Sequence, residues 1–102
     1  MRAQRFKALG DPTRLRILSS LQDCEHCACE LQVAVDVPGN LLSHHLKVLR
    51  EAGLVTATRR GRWVDYRIER GVLAGLAADL AEVADGPASC RMDDTREGAC
   101  GG

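Results

Sequence analysis

The 102-residue sequence has the length of one small domain. A domain of this size buries only about two-thirds of its unfolded surface, so a partner surface such as a dimer interface would help to stabilise it. The formal net charge of zero excludes a uniformly basic nucleic-acid binder, but the distribution of charge matters more than its total. Residues 47–70 contain seven basic and three acidic side chains, whereas residues 79–102 contain two basic and six acidic ones.

The first two predicted helices lie near the start of the chain. The first covers about Gln4–Leu9. Asp11 is placed to cap the second, and Pro12 suits its first helical position. We expect this second helix to end near Asp23. Its predicted apolar stripe consists of Leu15, Ile17, Leu18 and Leu21.

Two further helices form the centre of the sequence. One runs from Cys27 to about Val35, with Leu31 and Ala34 expected to face inward. The other runs from about Gly39 to Ala52, and Gly53 is a suitable C-terminal stop. A helical wheel of this second segment is strongly two-sided. One face carries Leu42, His45, Leu46 and Leu49, and the opposite face carries Asn40, Ser43, His44, Lys47 and Glu51.

A β-hairpin is predicted next. The runs Leu54–Arg60 and Trp63–Ile68 alternate with period two, and Gly61 lies in the turn between them. The alternation places one set of side chains inward and the other outward. The inward set is Val64, Tyr66 and Ile68, and the outward set is Trp63, Asp65 and Arg67.

A last helix is predicted over Gly71–Ala84, and Gly86 with Pro87 ends it. The chain then divides into a domain over residues 1–86 and a polar, cysteine-containing tail over residues 87–102, which we expect to be flexible. The apolar stripe of this last helix consists of Leu73, Leu76, Leu80 and Val83.

These elements predict a mainly α fold with a small β-hairpin, namely a winged helix-turn-helix. Gly39–Ala52 is then the helix that reads DNA in the major groove, and the hairpin is a basic wing suited to phosphates or a narrow minor groove. His45 lies on the inward face, so we expect it to be packed and hydrogen-bonded. The candidate DNA contacts are Asn40, Ser43, His44 and Lys47 on the helix and Arg59, Arg60 and Arg62 on the wing.

Three segments together resemble the ArsR/SmtB family of metalloregulatory repressors: FKALGDPTRLRIL, SHHLKVLREAGLV and RRGRWVDYRI. The resemblance covers about residues 6–84. It implies a homodimer of winged helices, an operator of two-fold symmetry in double-stranded DNA, and release of that DNA by a ligand. It also implies a dimer interface formed by the first and last helices, near Arg5–Leu9 and Gly71–Ala84. Small residues there would permit close helix approach: Ala74, Gly75, Ala77, Ala78 and Ala81.

Three cysteines fall within six residues, at Cys24, Cys27 and Cys29. Thiolates bind soft ions such as arsenite, antimonite, cadmium and lead. Residues three apart share a helix face, whereas residues two apart do not. Cys27 and Cys29 therefore converge on one small ion only if the start of their helix is distorted. The helix that begins at Cys27 braces the helix that reads DNA, so we expect the distortion to shift the DNA-reading helix.

The family resemblance supports this location for the ligand site. Cys27-Ala-Cys29-Glu30-Leu31 matches the Cys-x-Cys, acidic residue and Leu found in relatives that sense arsenite, antimonite, cadmium or lead. The third thiol departs from the pattern, because Cys24 precedes the pair. The tail cysteines, Cys90 and Cys100, are further candidates. The last helix lacks the Asp, His and Glu set of the family's interfacial zinc and nickel sites.

The sequence thus predicts a transcriptional repressor released by arsenite or antimonite, with no enzymatic activity and no organic cofactor. Two alternatives keep the same fold: a cadmium- or lead-responsive repressor, and a repressor that senses oxidants or persulfides through its thiols. A redox enzyme built on Cys24-x-x-Cys27 lacks the strand that precedes such pairs, and a metal-buffering protein needs no wing. No apolar run is long enough to span a bilayer, and residues 1–10 lack a signal-peptide core. We therefore expect a cytoplasmic protein without a membrane partner, in which the thiols stay reduced.

Overall fold

A computed structural model describes residues 2–23 and 25–86 of the chain. Within these ranges the chain forms five helices and one three-stranded antiparallel sheet. None of these helices is both long and apolar enough to cross a membrane. In chain order the elements are α1 (Arg2–Leu9), α2 (Pro12–Ser20), β1 (His26–Cys27), α3 (Ala28–Val35), α4 (Gly39–Glu51), β2 (Val55–Arg60), β3 (Trp63–Ile68) and α5 (Arg70–Ala84).

Helix α2 begins as its sequence predicts. Asp11 Oδ1 accepts hydrogen bonds from the backbone N–H groups of Thr13 at 2.8 Å and Arg14 at 3.2 Å, and Pro12 takes the first helical position. Burial alone would raise the pKa of Asp11, but the bonds from Arg14 and Thr13 outweigh it and lower that pKa. The helix ends at Ser20, slightly before the predicted end.

Helices α3 and α4 form the helix-turn-helix pair. Asp36 ends α3 in the left-handed region, with φ 59°, and its N–H donates to Gln32 O at 2.8 Å. Aspartate tolerates this conformation better than most side chains. Pro38 then precedes the first residue of α4. At the other end of α4, Gly53 has φ +79°, which confirms the predicted glycine stop.

The wing is larger than predicted. Strands β2 and β3 form the expected hairpin, with Gly61 in the turn at φ +62°, but β1 adds a third strand in the order β1-β3-β2. The added strand pairs His26 with Tyr66 and Cys27 with Asp65. A strand of two residues is too short to show any periodicity, so no sequence pattern could predict it.

One aliphatic core joins the helices to the sheet. Two predictions of inward-facing residues are wrong: Leu15 is 50% exposed, and Ala34 is exposed while its neighbour Val35 is buried. In α3 the next position, Val35, faces the core more directly, whereas in α2 only the later part of the stripe, Ile17, Leu18 and Leu21, is covered. The core consists of Ala8, Ile17, Leu18, Leu21, Leu31, Val35, Leu42, Leu46, Leu49, Ala52, Leu54, Val55 and Leu76.

Candidate DNA interface and thiol site

Helix α4 has the two faces that its sequence predicts. Leu42, Leu46 and Leu49 are all buried, because spacings of three and four residues keep them on one side of the helix. The other side is exposed to solvent. The exposed polar set includes all four predicted DNA contacts on this helix: Asn40, Ser43, His44 and Lys47.

The C-terminal end of α4 is fixed by α1. Arg5 Nε donates to Ala52 O at 3.0 Å, and a Cβ at Gly53 would lie 3.5 Å from Arg5 Nη2. The guanidinium thus satisfies a carbonyl left free at the end of the helix, where a positive charge is also favourable. This hydrogen bond therefore couples the position of α4 to that of α1.

A second arginine links α1, α2 and α4. Arg14 Nε donates to Ala8 O at 2.6 Å, and Arg14 Nη1 lies 3.1 Å from His45 Nδ1. Because a guanidinium only donates, Nδ1 accepts and the proton of the neutral ring is on Nε2. His45 is half-buried, which confirms the prediction of a packed, hydrogen-bonded histidine.

The surroundings of His45 make the stability of the protein depend on pH. Burial lowers the pKa of His45, the charges of Arg14 and His44 lower it further, and only Asp11 opposes the shift. A lowered pKa gives stability that is present above the ordinary value near 6.5 and is lost as the pH falls through the folded-state pKa.

We expect the urea midpoint of the wild-type protein to fall between pH 7.5 and 5.5, and His45→Gln to reduce that fall. Glutamine keeps an oxygen that accepts from Arg14 but cannot take up a proton. Ser43→Gln, on the exposed face of the same helix, is the control and should leave the dependence unchanged, because serine does not titrate in this range. Equal pH dependence in His45→Gln and the wild type would contradict the assignment.

The wing carries the predicted arginines, in two different states. Arg59 and Arg62 are exposed and make no side-chain hydrogen bond or ion pair to other described residues. Arg60 instead donates to both oxygens of Asp65, from Nε to Oδ2 at 2.6 Å and from Nη2 to Oδ1 at 3.1 Å. This hydrogen bonding raises the pKa of Arg60 and lowers that of Asp65.

Asp65 corrects the predicted alternation of β3. It was expected to face solvent, yet it is the buried charged residue of the described chain, at 8% exposure. It does lie on the outward face of the hairpin, but β1 and the side chain of Arg60 cover it. The opposite charges at diagonal positions of the predicted hairpin were the signal that could have identified this pair.

The predicted thiol cluster is only partly within the described residues. Cys27 is buried at the N-cap of α3, and Cys29 is exposed in its first turn; both are free thiols. Cys24, Cys90 and Cys100 lie outside the described residues. Across residues 2–23 and 25–86, no three His, Cys, Asp or Glu side chains are grouped closely enough to hold a metal ion.

The start of α3 is regular and is closed by Glu30. Its Oε1 accepts the N–H of Cys27 at 3.0 Å and lies 3.1 Å from Nδ1 of His26. The bond from Cys27 and then that from His26 lower the pKa of Glu30. Two thiols suit a soft ion by their chemistry, but Cys27 is buried at an N-cap position with extended backbone, whereas Cys29 is exposed in the first helical turn.

Helix α5 leaves half of its apolar stripe uncovered. Leu76 is buried and Leu73 is packed against the core, whereas Leu80 is 59% and Val83 80% exposed. The apolar stripe of α5 thus extends beyond the part of the helix that packs against the core of its own chain. The predicted small residues beside it are all exposed: Ala74, Gly75, Ala77, Ala78 and Ala81.

Comparison with known proteins gives consistent matches. Residues 11–57 match the family described as bacterial regulatory protein, arsR family. The chain is 42% identical over 74 residues to the HTH-type transcriptional repressor SmtB of Mycobacterium tuberculosis, covering 72% of this chain and 55% of that protein. It is 40% identical over 80 residues to the arsenical resistance operon repressor of Escherichia coli, covering 78% and 68%.

A solved structure matches the fold. The homodimeric winged helix-turn-helix DNA-binding domain of a possible ArsR-family regulator from Mycobacterium bovis superposes with a TM-score of 0.68. It is 35% identical, and the match covers 81% of this chain and 77% of that one. The predicted winged helix-turn-helix is confirmed. These matched proteins are named as regulators or repressors, which are not enzymes.

Proposed function

The chain belongs to the arsR family of bacterial regulatory proteins, and we propose that it is a dimeric DNA-binding repressor released by a thiophilic metal or metalloid. The observation that carries the proposal is the exposed polar face of α4 next to an arginine-bearing wing. The relatives that share this arrangement of sequence are named as repressors.

DNA recognition is assigned to α4 and the wing. Asn40 offers an amide suited to an adenine edge, and Ser43, His44 and Lys47 offer donors for bases and phosphates. Arg59 and Arg62, which have no hydrogen-bond or ion-pair partner among the described residues, offer their exposed guanidinium groups to the DNA backbone or a narrow minor groove. Because cationic side chains supply most of this contact, operator binding should weaken steeply as salt rises.

Dimer formation is assigned to α1 and α5. The uncovered Leu80 and Val83 supply an apolar surface, and the exposed small residues of α5 allow two helices to approach closely. The related M. bovis domain is homodimeric. A two-fold dimer would present two copies of α4 to two half-sites of one operator.

The inducer site is assigned to Cys27 and Cys29, completed by Cys24 or by one of the tail cysteines, Cys90 and Cys100. When bound, a thiophilic ion supplies strong sulfur ligation at a fixed small radius. Drawing the first two thiols together requires the Cys27–Glu30 cap to open. The first turn of α3 then unwinds, and because Leu31 of α3 packs in the same core as Leu42 of α4, the reading helix shifts. Arsenite or antimonite is the first choice, with cadmium or lead as the alternative.

The test is an operator titration with and without arsenite, antimonite, cadmium, lead or zinc, using a duplex that the wild-type protein selects from a random pool. We expect the correct ion to weaken wild-type binding by about 5- to 150-fold. Cys27→Ser and Cys29→Ser should each reduce this to less than about twofold while binding DNA normally without the ion. Parallel Cys24→Ser, Cys90→Ser and Cys100→Ser variants identify the third ligand.

Two outcomes would contradict the inducer assignment. One is ligand-induced release that persists in Cys27→Ser. The other is release accompanied by the loss of two hydrogens in the mass spectrum with no bound ion, which indicates a thiol redox sensor.

A further inference from the structure

In the three-stranded sheet, the thiol of Cys27 and the Arg60–Asp65 ion pair lie on the same face. Asp65 in β3 is directly opposite Cys27 in β1 and directly opposite Thr58 in β2. Opposed residues of antiparallel strands point to the same face, with Cβ atoms about 4.5–5.5 Å apart. Arg60, two residues beyond Thr58, shares this face and reaches back to Asp65.

The two members of the Arg60–Asp65 ion pair differ in their exposure to solvent. The side chain of Asp65 is 11% exposed and that of Arg60 is 64% exposed. The pair uses Nε and one N–H of Nη2, so three of the five guanidinium N–H donors still face outward. A side-on, two-bond contact of this kind fixes the plane of the guanidinium, which a lysine in its place would not allow.

A groove beside the pair determines where DNA can meet Arg60. It has a volume of about 510 Å³ and is lined by Glu25, Glu30, Thr58, Arg59, Arg60 and Asp65. Its lining carries three carboxylates and two guanidinium groups, a formal charge of −1, so the groove itself offers a phosphate no net attraction. The outward edge of Arg60, on the strand end next to the turn, is therefore the part that a DNA phosphate can approach.

We propose that Asp65 is a positioning residue that orients Arg60 toward a DNA phosphate and links the wing to the strand that carries Cys27. The proposal rests on the proposed function, because it needs operator binding. It adds a second route to release. Any rearrangement that draws Cys27 toward Cys29 also pulls β1, a strand of only two residues, from the side of Asp65. Asp65 then loses the cover that keeps it buried, and Arg60 loses its orientation.

The test is a double-mutant cycle on operator affinity with Asp65→Asn and Arg60→Ala. We expect each single variant to weaken binding by about tenfold and the double variant to be no more than about twofold weaker than either single variant, since both remove the same contact. The control cycle pairs Asp65→Asn with Arg59→Ala. Arg59 neighbours Arg60 but has no aspartate partner among the described residues, so these effects should multiply.

Arg60→Lys tests the same contact if Asp65→Asn does not fold. The side chain of Arg60 is largely exposed, so we expect this variant to fold normally. It retains the charge but loses the two-bond geometry, so it should weaken binding as much as Arg60→Ala. Affinity within about twofold of the wild type for Arg60→Lys, or multiplicative effects in the Asp65–Arg60 cycle, would overturn the proposal. Either result leaves wild-type binding and release in place, whereas a wild-type protein that selects no duplex overturns the proposed function and this inference together.

The link to Cys27 has its own readout. In Asp65→Asn, Arg60 has already lost the partner that orients it. Saturating arsenite should therefore weaken operator binding by a smaller factor than in the wild type. Thiolate-to-metal absorbance should show unchanged ligand binding in both proteins. An equal factor of release in the two proteins would overturn the link.

Discussion

Leu49→Ala is expected to lower the free energy of unfolding by about 2–5 kcal/mol, the range found for leucine truncation in well-packed cores. Leu49 lies on the inner face of α4 and is completely buried. It packs in the cluster that joins α4 to Ile17 of α2 and Leu31 of α3. The lost methyl groups leave a cavity among helices whose positions are already fixed by the bonds from Arg5 and Arg14 to α4.

Leu41→Ala provides a matched control on the same helix. Leu41 is 45% exposed, so the same truncation removes less buried surface and leaves no cavity, and we expect a loss of about 1 kcal/mol or less. Urea unfolding followed by circular dichroism measures both, at one fixed protein concentration because a dimer's stability depends on it. Equal losses for the two variants would show that α4 is not held by this core.

The parts of the fold that the sequence predicted well are those determined by local chemistry. Asp11 with Pro12 specifies the start of a helix within four residues, and Gly53 specifies an end that few other residues can adopt. The two-sided wheel of α4 and the alternation around Gly61 are similarly local. Each of these signals depends on neighbours along the chain, and the structure confirms the helix start, the glycine stop, the two faces of α4 and the turn at Gly61.

The features that could not be predicted from the sequence all depend on contacts between residues that are distant along the chain. Strand β1 exists only because β3 lies beside it, and Asp65 is buried only because β1 and Arg60 cover it. The bond from Arg5 to the end of α4 spans 47 positions of sequence, so no local pattern could predict it. Leu15 lies on the correct stripe of α2, but which part of a stripe is covered depends on how the neighbouring helices pack.

The candidate thiol site shows both sides of this lesson. The number, type and spacing of the thiols can be read from the sequence, whereas only the structure shows that Cys27 is buried at an extended N-cap position and that Cys29 is exposed in the first helical turn. The structure adds the cap made by Glu30 and the pairing of Cys27 with Asp65. In the proposed release, ligation of Cys27 breaks contacts at the start of α3 and at the edge of the wing. Breaking these contacts is what converts binding energy into a structural change.

Val83→Asp is expected to separate the proposed dimer and, with it, high-affinity operator binding. Val83 is 80% exposed in the single chain and extends the stripe of α5 past the core. If a second α5 covers it, a carboxylate there must be buried without a partner, which costs several kcal/mol. We expect the dimer dissociation constant to rise by at least about 100-fold, measured by analytical ultracentrifugation. Each monomer then binds one half-site alone, and operator affinity falls by about 100-fold through loss of bivalency.

Val33→Asp is the matched control for this substitution. Val33 is 84% exposed in α3 and, like Val83, lies near the C-terminal end of its helix, where an added negative charge has the same small unfavourable effect. The two variants thus share the chemical change, the exposure and the helix position, and differ in whether a partner chain is proposed to cover the site. Val33→Asp should sediment as the wild type does. A Val83→Asp protein that also sediments unchanged would exclude α5 as the dimer interface, and the symmetric operator proposed from it would need a different pair of surfaces.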